Sequence, residues 1–144
     1  MTTRTMPTVR IKVIGVGGAG GNAVTRISNR KDMDLELLAI NTDTQALAEI
    51  KNFPTFAIGP TSTLGMGSGG NPKVGRQAIK ESQNQISELL MDTDMVFITA
   101  GMGGGTGTGA TPIVAEIARK HGALTVGIVT RPFSFEGKAR RIVS

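Results

Sequence analysis

Gly15-Val-Gly-Gly-Ala-Gly20 is the stretch that decides the fold, because an apolar run at residues 10–16 leads into it and a helical pattern at residues 22–29 follows it. The spacing is G-x-G-x-x-G at a strand-to-helix turn, the context in which this motif binds dinucleotide phosphates. Backbone N–H groups in such a turn, together with the N-terminus of the following helix, attract anions. On its own the stretch fits NAD, FAD or another phosphate ligand, and a tight turn without any ligand has the same pattern.

Four further apolar runs repeat this arrangement along the chain. Together with the first run, they predict strands at residues 10–16, 35–40, 55–58, 94–99 and 124–129. Helices are predicted between the strands at residues 22–29, 42–51, 72–91 and 111–121. Most of the runs are continuously apolar, as expected for parallel strands that are buried on both faces. Right-handed crossovers then predict an α/β, three-layer Rossmann-like fold with a doubly wound parallel sheet of order 3-2-1-4-5.

The glycines are concentrated where that fold would bind a ligand. Fifteen of the 20 glycines lie in three windows, at residues 15–21, 65–70 and 101–109. Glycine lets backbone N–H groups come close to a ligand, at an entropic cost in regular structure. The loops after strands 1 and 4 of such a sheet open onto one crevice. The first and last windows are therefore predicted to face each other across this crevice.

Gly101-Met-Gly-Gly-Gly-Thr-Gly-Thr-Gly109 is the most specific of the three windows. It is not a Walker A loop, because the G-K-[ST] ending is missing. Without a lysine, this window is predicted to bind phosphate through backbone N–H groups and the hydroxyls of Thr106 and Thr108. Mg²⁺ or an arginine from elsewhere would neutralise the remaining charge. The window at residues 64–71 is interpreted either as a flexible loop or as a flap over a terminal phosphate.

Composition excludes several classes of protein. The chain has 144 residues, enough for one compact domain, and its lack of cysteine excludes disulfides and thiolate chemistry. No run approaches the roughly 20 apolar residues of a membrane span, and no signal peptide is recognisable. The net charge of +5 lies largely in residues 131–144, which hold four basic groups and one acidic group. A short basic segment on a nearly neutral domain is weak support for a nucleic-acid-binding face.

Several motifs together resemble the tubulin/FtsZ family, which includes the GTPases of bacterial cell division. The matching stretches, in the family's order, are residues 17–23, 41–43, 65–75, 103–109 and 133–138. The heptapeptide Gly103-Gly-Gly-Thr-Gly-Thr-Gly109 resembles the phosphate loop of that family. The resemblance extends from about Val9 to Arg141, so it covers nearly the whole chain.

The resemblance implies a nucleotide site made of several loops. Its implied nucleotide-binding residues are Gly18, Ala19, Gly20, Gly21, Asn22, Asn41, Thr42, Asp43, Gly69, Gly70, Gly101, Gly103, Gly104, Gly105, Thr106, Gly107, Glu136 and Arg140. In the family's arrangement, residues 18–22 line the phosphates and the nucleoside side, and residues 41–43 lie near the phosphates and Mg²⁺. Residues 65–70 form the loop that senses the γ-phosphate. Residues 105–107 hold the β- and γ-phosphates.

Glu136 and Arg140 are implied to contact the ribose and the region of the α-phosphate. No catalytic residue is implied within this chain, and the metal ligands are left open. In the family, the residues that read guanine and the acidic loop that completes hydrolysis lie beyond the position of Ser144. That acidic loop acts on the nucleotide of a neighbouring subunit. Residues 10–144 are therefore interpreted as a GTP-binding domain that is incomplete at its C-terminus. Residues 1–9, which precede the first predicted strand, are interpreted as a flexible segment.

The implied function is that of a cytoplasmic GTPase that binds GTP or GDP with Mg²⁺ and polymerises into filaments for septum formation in bacterial cell division. Its expected partners are other copies of itself and, through a tail absent here, further division proteins. Neither nucleic acid binding nor membrane insertion is expected. The isolated chain is expected to hydrolyse GTP poorly, and its end is interpreted as the opening of another helix. The alternatives are a non-catalytic nucleotide-binding module and an NAD-dependent oxidoreductase, which the second glycine window disfavours.

Overall fold

A computed structural model describes residues 9–30, 34–101, 103–130 and 139–143. Its strands are β1 (Ile11–Val16), β2 (Glu36–Asn41), β3 (Thr55–Ala57), β4 (Met95–Gly101), β5 (Leu124–Thr130) and β6 (Ala139–Val143). Its helices are α1 (Gly17–Ser28), α2 (Thr44–Ala48), α3 (Pro60–Thr63), α4 (Pro72–Glu81), α5 (Gln83–Leu89) and α6 (Gly105–Lys120). Among the described helices, none is long and apolar enough to cross a membrane.

The six strands form one sheet of order β3-β2-β1-β4-β5-β6. The first five are parallel, which confirms the predicted order 3-2-1-4-5 and the doubly wound fold. The sixth strand pairs antiparallel with β5 at the sheet edge. The prediction that the chain ends in the opening of a helix was therefore wrong. Ile142 and Val143 favour extended structure, and this strand covers backbone groups that β5 would otherwise leave unpaired.

Two helices begin earlier than the sequence pattern predicted. α1 and α6 start at Gly17 and Gly105, inside the glycine windows instead of after them. The single helix predicted for residues 72–91 is two helices that meet at Ser82. The Ser82 hydroxyl accepts a 2.9 Å hydrogen bond from the backbone N–H of Gly59, which joins this break to the start of α3.

The core fills the space between the sheet and the helices. Ile14 and Ile40 in neighbouring strands are fully buried, and Ile98 in β4 is 1% exposed. Val114 of α6 and Ile79 of α4 complete the same apolar cluster. Burying aliphatic side chains of this size contributes about 1.5–3 kcal/mol each. This packing holds the carboxyl ends of β1, β2 and β4 side by side, and the candidate site lies at that edge.

Candidate functional site

The loops after β1 and β4 meet at the carboxyl edge of the sheet, as the sequence predicted. Val16 pairs in register with Ala100, so both strands end at the same level. Gly17, which follows β1, has a φ of 79°, and a Cβ placed on it would lie 3.1 Å from the backbone nitrogen of Gly107. The first turns of α1 and α6 are therefore in close contact, and a side chain at residue 17 would be strained.

Two adjoining cavities open between these turns and the loop after β2. One has a volume of about 260 Å³ and is lined by Gly17, Gly18, Asn41, Thr42, Asp43, Ala46, Met66, Gly67, Ser68, Gly69, Gly104, Gly105, Thr106 and Gly107. The other, of about 330 Å³, is lined by Gly17, Gly18, Gly21, Asn22, Thr25, Ala39, Asn41, Ala46, Leu47, Glu49 and Ile50. They share Gly17, Gly18, Asn41 and Ala46, so they form one continuous crevice. No Lys or Arg lines either cavity within the described part of the chain.

Two of the helix N-termini at this crevice, those of α1 and α6, lack side-chain caps. Neither Val16, at the start of α1, nor Gly104, at the start of α6, provides a capping hydrogen bond from its side chain. By contrast, the side chain of Asn71 caps α4 by accepting from the N–H of Lys73 at 3.0 Å. The first turn of a helix carries free N–H groups and a partial positive charge. Two such turns side by side form a site for an anion that is built from backbone.

The loop at residues 64–70 lies against the loop after β2. The N–H of Thr44 donates to the carbonyl of Gly65 at 3.1 Å, and the N–H of Gly67 donates to the carbonyl of Thr42 at 3.3 Å. Met66 forms an isolated bridge with Asp43, yet its residue surface is 82% exposed. The loop therefore borders the smaller cavity, while Leu64 and Met66 are largely exposed.

Asp43 has a structural role in addition to its place at the cavity. Its Oδ1 accepts hydrogen bonds from the N–H groups of Gln45 at 3.0 Å and Ala46 at 3.2 Å, which caps α2. An aspartate at this position is among the preferred N-caps, and such a cap contributes about 1 kcal/mol. Both capping bonds fall on one carboxylate oxygen, which leaves Oδ2 for another ligand.

Two buried hydroxyls meet beneath the smaller cavity. The Oγ1 atoms of Thr42 and Thr106 are 2.7 Å apart, and the two residues are only 1% and 5% exposed. The sequence predicted Thr106 as a phosphate ligand without identifying this hydroxyl partner. The two residues are 64 positions apart, so no local pattern could have shown the pairing.

The structure brings most of the predicted site residues together. Those that line the crevice are Gly18, Gly21, Asn22, Asn41, Thr42, Asp43, Gly69, Gly104, Gly105, Thr106 and Gly107. Ala19, Gly70, Gly101 and Gly103 lie in the same loops or helix turns but do not line it. Glu136 lies outside the described residues, and only the backbone of Arg140, in β6, is described.

Gly20 faces the sheet instead of the crevice. A Cβ on Gly20 would collide with the carbonyl oxygen of Thr99 and would lie 3.0 Å from the carbonyl carbon of Gly15. The glycine at this position thus lets α1 pack directly on the strand backbone. The list of binding residues from the sequence also omitted Gly17 and Ser68, although both line the smaller cavity and Ser68 lies in the loop assigned to the γ-phosphate. Their position within the glycine windows was the signal that could have identified them.

Comparison with known proteins agrees with this architecture. Residues 10–144 match the family model described as Tubulin/FtsZ family, GTPase domain. Over 133 residues the chain is 56% identical to the cell division protein FtsZ of Pseudomonas aeruginosa, which covers 92% of this chain and 34% of that protein. The chain thus spans about a third of the length of this curated relative.

Solved structures show the same relationship. An FtsZ dimer from M. jannaschii superposes with a TM-score of 0.84 at 50% identity, covering 91% of this chain and 38% of the other. CetZ from Methanosaeta thermophila superposes with a TM-score of 0.75 at 27% identity, covering 90% of this chain and 39% of the CetZ chain. With its strand order, its paired glycine loops and these matches, the chain belongs to the tubulin/FtsZ family.

Proposed function

We propose that the intact protein binds GTP in this crevice, hydrolyses it, and assembles head to tail into filaments at the division site in the bacterial cytoplasm. The observation that carries the proposal is the convergence of two uncapped helix N-termini, those of α1 and α6, on one cavity. This arrangement suits a polyphosphate, because several backbone N–H groups can bind neighbouring phosphate oxygens at once. Family membership favours guanine as the base.

Backbone groups supply most of the positive potential in this proposal. The lining of the crevice contains no basic side chain among the described residues, so no lysine takes the place of the Walker A lysine. The first turns of α1 and α6 would hold the phosphates, with Gly105, Thr106 and Gly107 nearest the terminal groups. The larger cavity, which Asn22 borders, would receive the nucleoside side. Glu136 and Arg140 are proposed to contact the ribose and the α-phosphate.

Mg²⁺ fits this donor set as a partner of the nucleotide. The described residues contain no cluster of three or more His, Cys, Asp or Glu side chains that could hold a metal alone. Mg²⁺ commonly binds through one or two carboxylates together with substrate phosphates and water. Asp43 borders the phosphate cavity and has Oδ2 unused by its capping bonds. When bound, the ion would neutralise charge on the phosphate oxygens.

Hydrolysis is proposed to need a second subunit. Phosphoryl transfer is catalysed mainly by positioning and charge stabilisation, for which the glycine loops are suited. The carboxylates that line the crevice are Asp43 and Glu49, and Asp43 already caps α2. We infer that a neighbour in the filament contributes the acidic group that orients water. A related CetZ2 from Haloferax volcanii has been solved as a GTPγS-bound protofilament.

Calorimetric titration of the intact protein with GTP, GDP, ATP and NAD tests the proposal. We expect GTP to bind with Mg²⁺, GDP to bind, and ATP and NAD to bind much more weakly. Phosphate release measured over a range of protein concentrations should rise more steeply than the concentration, because each site is completed by a neighbour. NAD binding in preference to GTP would contradict the proposal. Tight GTP binding with no phosphate release at any concentration would support a non-catalytic module instead.

A further inference from the structure

Thr42 connects two parts of the candidate site that are far apart in sequence. Its hydroxyl oxygen is 2.7 Å from that of Thr106, in the first turn of α6. Its backbone carbonyl accepts a hydrogen bond from the N–H of Gly67 at 3.3 Å and lies 3.5 Å from the hydroxyl of Thr63, which is closer to the carbonyl of Gly59, at 3.0 Å. One buried residue therefore contacts both the α6 N-terminus and the loop at residues 64–70.

The loop contacts Thr42 at its middle and, through Thr63, next to its start. Thr63, which precedes the loop, also accepts a hydrogen bond from the N–H of Gly65 at 3.2 Å through its hydroxyl. Further along, Gly67 bonds directly to Thr42. A shift of Thr42 would therefore be transmitted to the backbone of residues 65–67, of which Met66 and Gly67 border the smaller cavity.

A ligand can determine which of the two hydroxyls, Thr42 or Thr106, is the donor in the hydrogen bond between them. Each hydroxyl has one hydrogen to donate, so only one of the two oxygens donates in the bond between them. Phosphate oxygens are acceptors. If Thr106 donates its hydrogen to a phosphate, then Thr42 must donate to Thr106. Without a phosphate at Thr106, the geometry of the pair allows either oxygen to be the donor.

We propose that Thr42 is a positioning residue that links the loop at residues 64–70 to the phosphate bound at Thr106, and that it thereby contributes to the preference for a triphosphate over a diphosphate. This rests on the proposed nucleotide site. Thr42 lines the smaller cavity but is only 1% exposed, and the role proposed for it runs through its contacts with Thr106 and Gly67. The terminal phosphate fixes the Thr106 hydroxyl, and Thr42 carries that constraint to the loop beside it.

The test compares affinities for GDP and for a non-hydrolysable GTP analogue in the intact protein. Thr42→Val removes the hydroxyl with little change in shape, and Thr42→Ser keeps it. We expect the ratio of GTP-analogue to GDP affinity to fall about fivefold in Thr42→Val, the factor for one net hydrogen bond. Thr42→Ser should restore the wild-type ratio.

Two further variants keep the outcome interpretable. Thr63→Val loosens the loop from the other side of Thr42 and should lower the same affinity ratio even if Thr42→Val fails to fold. Thr125→Val is the matched control, because the buried hydroxyl of Thr125, in β5, donates to the carbonyl of Ala123 and neither residue lines the crevice. It should leave the ratio unchanged.

The results separate this inference from the function on which it rests. If wild-type protein binds neither nucleotide, the proposed function fails. If wild-type protein prefers the GTP analogue and either Thr42→Val or Thr63→Val folds and keeps the full preference, the link through Thr42 is wrong. Equal losses for both nucleotides in Thr42→Val would also overturn it, because that pattern indicates general damage to the site.

Discussion

Replacing Gly105 by alanine adds one methyl group at the first residue of α6, where the proposed phosphate site begins. That carbon would lie 2.5 Å from the backbone nitrogen of Asn71 and 2.8 Å from the carbonyl carbon of Gly70, and closer still to Ser68 Oγ. Nonbonded carbons are optimally spaced at about 3.5–4.0 Å, so the loop must move away by about 1 Å. The resemblance to the family implied only that Gly105 helps to hold the phosphates. The structure shows that a side chain here would collide with the loop.

The cost has two opposing parts. Overpacking of a well-packed site costs about 1–3 kcal/mol, and alanine is favoured over glycine in a helix by about 0.5–1 kcal/mol. We therefore expect the free energy of unfolding to fall by about 0.5–2 kcal/mol. The displaced loop also opens the phosphate cavity, so we expect GTP affinity to fall at least tenfold, which corresponds to about 1.4 kcal/mol.

Urea denaturation of the intact protein and calorimetric titration with GTP measure these two quantities. Gly104→Ala is the control for stability, since its backbone is extended, with a φ of −82° and a ψ of 143°. A Cβ there would meet only the carbonyl oxygen of Gly101, at 3.9 Å. Its free energy of unfolding should change by less than about 0.5 kcal/mol. Wild-type stability and GTP affinity in Gly105→Ala would refute the packing argument.

Three further predictions concern the Asp43 cap of α2, the pKa of the Glu81 carboxylate, and the need for a second subunit in hydrolysis. Asp43→Asn should keep the stability of the α2 cap but reduce the Mg²⁺ dependence of GTP binding, whereas Asp43→Ala should lose both. Calorimetric titration measures the binding and urea denaturation the stability. If the two variants had the same effects on both quantities, the separate roles would be contradicted. Hydrogen bonds from the Ser62 hydroxyl and the Thr61 backbone lower the pKa of Glu81 from 4.5 to about 2. Because the folded pKa lies below the unfolded one, this stabilisation is present above about pH 4.5 and disappears as the pH falls toward 2. Ser62→Ala should raise the pKa of Glu81 in an NMR titration, and an unchanged pKa would contradict the assignment. Finally, residues 1–144 alone should release little phosphate from GTP at any concentration, whereas turnover that rises with concentration would show a complete site.

The strand order was predictable because several independent features of the sequence agree. Five apolar runs separated by helical patterns admit few arrangements once crossovers are right-handed. The continuous run around Ile14 and the one around Ile98 indicated strands that are buried on both faces, and both residues are almost fully buried. The position of the crevice then followed from the glycine windows after these two strands.

The helix starts could not be predicted from local preference. Glycine is about 1 kcal/mol less favourable than alanine in a helix, so the windows at Gly17 and Gly105 indicated loops. Tertiary contacts decide otherwise, since the first turns of α1 and α6 pack against each other and against the sheet. Other contacts join residues that are distant in sequence, so no local pattern predicts them. Examples are the hydroxyl pair of Thr42 and Thr106 and the hydrogen bonds from the start of α3 to the Glu81 carboxylate.

The glycines of this chain serve packing as much as ligand binding, and the two purposes depend on each other. A Cβ on Gly20 would collide with the backbone of Thr99, and a Cβ on Gly75 would collide with the carbonyl oxygen of Gly105. Neither position lines the crevice, yet the two set how closely α1 approaches the sheet and how closely α4 approaches the first turn of α6. A phosphate site made of backbone N–H groups has no long side chain with which to correct a misplaced helix. Its geometry therefore depends on how closely the helices and strands behind it can pack, and glycine is needed at those contacts as well as at the crevice.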